Sequence, residues 1–479
     1  MPTRTVRTVG PAAVTTVITL SCVVISLMQT FIVPIIPKLP HLLDTDASNA
    51  SWAITATLLA AAVVTPIAGR LGDMYGKRRV IVASLVLVVV GSVLCAVSDS
   101  LIPVITGRTL QGLATGVIPV GISFLRDVLP AERVGGAIAL VSAALGVGGA
   151  VGLPVSAAIV QYADWHVLFW VAAVLGVICL GLVAALLRES PNQSPGRFDV
   201  LGAIGLAAGL VCLLLAATKG GGWGWTSGPV LGLFAGGVVV LALWGVYELR
   251  VAQPLVDLRV TARRPVLFTN LASLMVGFSM YATSLVLPQL LQSPSATGYG
   301  LGQSVLAAGL ALAPSGLVMM AFAPLSARIT ARHGARVTLL TGLCVIGVGY
   351  GVGLGLMAEV WQIIVMSMIV SAGVGIAYAA SPALIMGAVP VTETASANGI
   401  NSLMRSVGTS SSSAVMAAML AGMSTQLGPV SVPTENGFRM TYVVALLAAL
   451  AGIVLTLFIP RVRRAAAPES APAAAAVSR

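Results

Sequence analysis

Two arginines, Arg108 and Arg405, lie inside long apolar runs. A guanidinium in hydrocarbon costs at least a few kcal/mol on insertion scales, so it normally faces a cavity or a partner. Asn398 and Asn401 precede Arg405 by seven and four residues, which puts the three on one helical face. That face either lines a cavity or bonds neighbouring helices together, and Arg108 can serve as a hydrogen-bonded strut. None of the 15 acidic residues falls near the middle of an apolar run. A buried carboxyl is the ordinary proton carrier, because desolvation brings its titration towards neutrality. Protons are left with the helix-end acids Asp73 and Glu248, or with His166 at an outer edge, where a histidine is otherwise a surface residue. Gln29, Asn270, Tyr281, Gln289 and Tyr378 complete the candidates for contact with a small molecule. There is no G-x-x-x-x-G-K-[ST] and no metal-spaced His/Cys cluster, so ATP drive, a metal or a cofactor is not expected.

What must position these residues is a membrane scaffold. Of 479 residues, 57% are hydrophobic and 9% charged, against about 25% charged in soluble domains. Fourteen runs of spanning length are predicted, near 12–35, 50–69, 80–98, 102–125, 135–160, 166–187, 199–218, 229–248, 266–290, 303–326, 337–357, 361–387, 397–422 and 439–459. No alternating ten-residue pattern supports a barrel. The fold class expected is an all-α integral membrane protein with fourteen transmembrane helices. The run from about 12 to 34 follows Arg4 and Arg7 but exceeds a signal-peptide core and lacks a convincing cleavage site, so it reads as a retained span. Cys22, Cys95, Cys179, Cys212 and Cys344 all fall in apolar runs without a CxxC pair, as small buried hydrophobes.

The net charge of +11 is explained by topology. Outside the spans, only Lys38, Lys219 and Arg439 fall on one side; every other Lys and Arg falls on the opposite side. The positive-inside rule makes that side cytoplasmic, with both termini. The expected location is a bacterial plasma (inner) membrane. Partners expected are the lipid bilayer, protons and a small-molecule substrate, with no nucleic acid, for a monomeric protein.

The densest charge cluster is the segment 69–79, with four positive charges and one acid. Gly72 and Gly76 permit a tight turn, and Asp73 is placed to pair with an arginine or cap a helix, so the segment reads as a short latch loop between two helices. The chain repeats at an offset of about 260: Pro130 to Gly148 matches Pro390 to Gly408, and 327–336 matches the latch, with Ala331 opposite Asp73. Two parallel six-helix halves place a substrate site between them. The expected units are an N-terminal bundle (1–190), two linker helices with a cytoplasmic connector (191–264), a C-terminal bundle (265–460) and a disordered cytoplasmic tail (461–479). Gly112 with Gly116, and Gly148 with Gly152, are small-xxx-small pairs for close helix approach, and Pro154 is expected to kink its helix.

At these residues the chain resembles the major facilitator superfamily over nearly its whole length. Gly69, Asp73, Gly76, Lys77 and Arg78 match the form G-x-x-x-D-x-x-G-[RK]-[RK]. Arg108-Thr109-Leu110-Gln111-Gly112 is similar to R-x-x-Q-G. Gly148 to Pro154 is similar to the antiporter form G-x-x-x-G-P-x-x-G-G, with Leu153 intervening and Ser156-Ala157-Ala158 replacing the last glycines. The resemblance implies gating roles for Gly69, Asp73, Gly76, Lys77, Arg78, Gly148, Gly152 and Pro154. It also gives Arg108 a place in a proton relay, as an alternative to the strut. Fourteen helices point to the drug:proton antiporter branch. That branch usually has L-D-x-T-[IV]-V-N-V-A-L-P in its first helix. Here Leu27, Thr30 and Pro37 match, Met28 replaces the acid and Val33 the asparagine.

The expected function is secondary export of hydrophobic or amphipathic small molecules, drugs or antibiotics among them, by proton antiport and alternating access; an enzyme is not expected. A proton-coupled nutrient importer is the alternative, against which the Gly/Pro-rich fifth helix argues. A non-transporting receptor or scaffold is a further one, opposed by the retained Asp73, Arg108 and packing glycines. Asp73 is expected to hold the cytoplasmic side closed against the C-terminal half. With Met28 in the acid's place, dications are expected to be poorer substrates than neutral or anionic compounds.

Overall fold

The computed structural model describes residues 10–32, 35, 39–194, 196–427 and 430–460. Arg4, Arg7, Lys38, Val33, Pro37 and the 461–479 tail therefore lie outside the described residues. Thirteen helices among those described are long and apolar enough to cross a membrane. They are α1 (Pro11–Phe31), α2 (Trp52–Tyr75), α3 (Lys77–Ala96), α4 (Leu101–Val128), α5 (Ala131–Tyr162), α6 (His166–Leu186), α7 (Val200–Trp223), α8 (Gly228–Glu248), α9 (Arg264–Gln292), α10 (Val305–His333), α11 (Ala335–Gly353), α12 (Val360–Ala388) and α14 (Glu435–Leu457). The remaining long helix, α13 (Thr394–Gly422), has 29 residues. Arg405 and the polar run from Thr409 to Ser413 make it less apolar than its neighbours. With it the helix count is the predicted one, and the chain is an all-α membrane protein apart from one small addition. That addition is an antiparallel hairpin, β1 (Ser424–Leu427) on β2 (Val430–Pro433), between α13 and α14.

Two local expectations need correction. The segment 69–79 is not a loop: α2 runs to Tyr75 and α3 starts at Lys77, leaving only Gly76 between them. Its φ of +110° is open to glycine and strained for other residues. Gly334, at φ +88°, makes the corresponding break between α10 and α11, so the repeat predicted from sequence reaches the backbone. The fourth run is two helical pieces, Leu101–Leu113 and Val117–Val128, joined by a 3-10 turn at Ala114–Gly116. Pro154 lies inside α5, which spans Ala131–Tyr162.

Hydrophobic packing separates into two large cores. One gathers α1, α3, α4 and α6 around Ile25, Leu85, Val120 and Phe169. The other gathers α9, α11, α12 and α14 around Leu287, Leu343, Val374 and Tyr442. A smaller cluster joins α7 to both halves: Leu206 and Leu210 pack with Leu59 of α2, Leu403 of α13 and Leu255 of the connector. By contrast α8 leaves Val238, Val239, Leu243 and Val246 exposed, as a helix bordering lipid should.

Candidate functional site

The α2–α3 junction is built around Asp73 and Lys77, both fully buried and 3.5 Å apart. Asp73 also reaches the other half of the molecule. Its carboxylate accepts from the backbone N–H groups of Ala395 at 3.2 Å and Ser396 at 2.8 Å. These are second- and third-position donors of α13, which the helix itself leaves unpaired. The carboxylate thus acts as an N-cap supplied from a different bundle, and its charge meets the positive end of the helix dipole. Gly69 makes the approach possible, since any side chain there would strike the Ala395 carbonyl. Gly399 does the same from α13, where a Cβ would come within 2.7 Å of the Thr65 carbonyl oxygen. Ser123 of α4 and Thr394 bond alongside.

Lys77 is bound on its other side by residues that the sequence motif does not contain. Its Nζ lies 2.5 Å from Asp127, which also accepts from Ser190 and, at 3.1 Å, from the Asn192 amide. Glu189 accepts from the backbone N–H groups of Arg78 (2.9 Å) and Arg79 (3.3 Å), capping α3 where Gly76 opens the turn. The segment after α6 therefore clasps the junction, and Ser194 donates to the Asp73 carbonyl at 2.7 Å. Asp127, Glu189, Ser190 and Asn192 were not foreseen; their only signal is that they sit at helix ends on the basic side.

The second seam between the halves has no such polar lock among the described residues. Here α5 meets α10 through small residues, with Gly146 against Met319 and Gly316 against Ala150, and Ala139 and Ala143 against Ala323. Gly148 and Gly152 face α1 instead, where side chains would collide with Ser26 and Thr30. Ser26 donates to the Leu145 carbonyl at 3.1 Å and Thr30 to that of Gly148 at 3.0 Å. The pair predicted for close approach thus serves packing within one half.

The embedded arginines have polar but uncharged surroundings. Arg108 is buried, donating to the carbonyls of Met28 (3.1 Å) and Ala53 (3.3 Å) and to the Gln111 amide oxygen (2.7 Å). Gln111 passes the chain on to Ser92 at 2.9 Å. These bonds tie α4 to α1, α2 and α3. Arg405 donates to Asn401 (2.5 Å) and Ser402 (2.6 Å), and its guanidinium sits 4.4 Å from the centre of the Tyr378 ring, a cation–π geometry. Asn401 in turn donates to Asn270 and Ser273 of α9. Neither arginine forms an ion pair with a described residue. The Arg405 Nε, the Asn270 amide nitrogen and the Asn398 carbonyl oxygen are buried without a protein partner. Such unmet groups are rare and call for a water or a ligand.

Of the substrate candidates, Asn270, Tyr378, Asn401 and Arg405 form one connected cluster. Asn398 sits a turn away, its amide donating to the Thr394 carbonyl. Gln29 and Gln289 are exposed and Tyr281 is half-buried, outside that network. The coupling candidates are dispersed. His166 lies at the start of α6, 2.5 Å from Asp164 and 3.3 Å from Asp99; its backbone N–H and ring hold the Asp164 carboxyl below its usual range. Glu248 is buried at the end of α8 beside Trp244 and the backbone of Leu255 and Val256. Its carboxylate and that of Asp199 both crowd Gly202, where a Cβ would come within 2.6 Å of Glu248 and 2.4 Å of Asp199. Asp199 is a partner the sequence reading missed.

Comparison with known proteins places this geometry. Residues 18–293 and 269–478 match the family model of the Major Facilitator Superfamily. An uncharacterized MFS-type transporter, Rv1877 of Mycobacterium tuberculosis, is 30% identical over 293 residues, 60% of this chain but only 42% of the relative's length. Multidrug resistance protein Stp of the same species is 26% identical over 81% of this chain and 71% of its own. Among solved structures, the human organic anion transporter MFSD10 superposes with a TM-score of 0.67 at 14% identity, covering 93% of this chain and 99% of that one. At that identity the likeness concerns the fold.

Proposed function

The chain belongs to the Major Facilitator Superfamily and is a multi-pass membrane transporter, not an enzyme; from that premise we propose that it exports hydrophobic or amphipathic small molecules, drugs or antibiotics among them, by proton antiport. The observation that carries alternating access is the Asp73 cap on α13. It joins the halves only while their basic ends are together, and rocking the bundles apart must break two charge-assisted bonds. In this reading the conformation is outward-open and closed to the cytoplasm. Arg405, Tyr378, Asn401 and Asn270 recognise the substrate, their unmet donors being offered to a carbonyl, hydroxyl or anionic group. Arg108 is the strut that keeps the outer part of α4 in register.

Export is supported by the multidrug resistance name of one relative and by the similarity at Gly148–Pro154. Proton coupling falls to the helix-end acids, because no carboxyl stands in the Arg405 cluster among the described residues. Glu248 with Asp199 is the strongest pair, two carboxylates gathered around Gly202 at the ends of α8 and α7. The test is dye and antibiotic efflux from a pump-deleted bacterium expressing the protein, with and without a protonophore. Efflux that stops when the proton gradient collapses is expected. Unchanged accumulation of every compound would overturn export, and efflux that survives the protonophore would overturn the coupling alone.

A further inference from the structure

On the basic side of the bundle α1 and α5 part company. They are stapled further along by the Ser26 and Thr30 bonds, but between residues 11–23 of α1 and 133–140 of α5 a cavity of about 620 Å³ remains. Its inner walls are apolar, from Leu20, Val23, Ala137 and Leu140, and Arg133 stands at its rim in the first turn of α5. A Cβ on Gly136 would meet nothing within 4 Å, so the space over that wall is open. The opening is towards lipid: Leu140, Val151 and Val155, at helical repeats of eleven and fifteen residues, are 46%, 41% and 39% exposed along one side of α5. Arg133 is exposed and forms no ion pair with a described residue. The Thr19 hydroxyl, which also lines the cavity, is buried with no hydrogen-bond partner, whereas Thr15 bonds back to the Pro11 carbonyl at 3.0 Å.

We propose that this groove is a binding site for an anionic phospholipid of the cytoplasmic leaflet. The phosphate lies on Arg133 at the membrane surface, and one acyl chain runs about 10 Å inward, the rise of seven helical residues, between Leu20 and Leu140. Basic pockets between helices on the cytoplasmic side suit acidic headgroups, and the apolar walls select a lipid over a free anion. The occupant braces α5, the helix whose other faces hold α1 and the small-residue seam with α10. The inference rests on the cytoplasmic assignment of the basic side and is independent of what is transported.

Native mass spectrometry of the detergent-purified protein, titrated with phosphatidylglycerol or phosphatidylcholine, tests the site. The wild type should retain phosphatidylglycerol preferentially. R133A should lose about five-fold of that preference, the effect of one interfacial cation, and R133K should restore it. G136L, whose Cβ enters open space over the groove wall, should lower retention of both lipids while the melting temperature holds. Undiminished phosphatidylglycerol retention in both R133A and G136L overturns the proposal. So does equal retention of phosphatidylglycerol and phosphatidylcholine by the wild type. Because the readout needs no transport, its failure is separate from a failure of the export reading.

Discussion

Asp73 accepts hydrogen bonds from backbone groups more than three hundred residues further along the chain, and an amide in its place cannot do the same. Asparagine offers one acceptor oxygen, and its NH₂ would face a second N–H donor. Hydrogen bonds to a charged group are worth about 1.5–3 kcal/mol each, so losing one shifts a two-state gate by about ten-fold or more. D73N is therefore expected to cut transport by about that factor at normal expression, measured as initial efflux rate in membrane vesicles. A wild-type rate would show that the cap does not govern the gate. Lys77 survives this change with Asp127 as its partner, so the variant is expected to fold.

The two seams between the halves differ at the level of the element. The α2–α13 seam combines a capped helix end with close glycine contacts, whereas α5–α10 packs small residues against each other and against Met319. At Gly399 a methyl group would press on the Thr65 carbonyl at 2.7 Å, and backbone cannot step aside as a flexible side chain can. G399A is expected to destabilise by about 1–3 kcal/mol, the usual cost of overpacking, seen as a lower melting temperature in detergent. G351A, on a face of α11 with nothing within 4 Å, is the control; it should be neutral or stabilising by up to about 1 kcal/mol through helix propensity. Equal melting temperatures for the two variants would refute the close seam.

For the whole molecule, the balance of buried charge bears on what the proposed exporter would carry. Each half contributes one embedded arginine, neither with a carboxylate among the described residues, and Met28 is buried where the family branch has an acid. At the proposed site a dication would meet the buried Arg405 guanidinium in low dielectric without a compensating carboxylate among the described residues. Dicationic dyes are thus expected to be exported at least about ten-fold more slowly than neutral or anionic compounds of similar size, a difference of about 1.4 kcal/mol in barrier. Competition assays in the same vesicles measure it, and rapid export of a dication without any acidic residue being required would contradict it.

The sequence by itself determined the helix count, the orientation bias and the internal repeat, because hydrocarbon thickness and the cost of moving charge across it act on local composition. It also singled out Asn270, Tyr378, Asn401 and Arg405, since polar groups are conspicuous in an apolar run. Only the tertiary structure decided that these four touch, and that Asp73 makes its expected contact with the C-terminal half by capping α13 while also pairing with Lys77 at its own junction. It alone revealed the partners Asp127, Glu189 and Asp199, which are ordinary helix-end acids until folding brings them against Lys77, α3 and Glu248. A spanning helix is specified by its own residues; a hydrogen bond between bundles depends on the packing of both, and no local pattern records it.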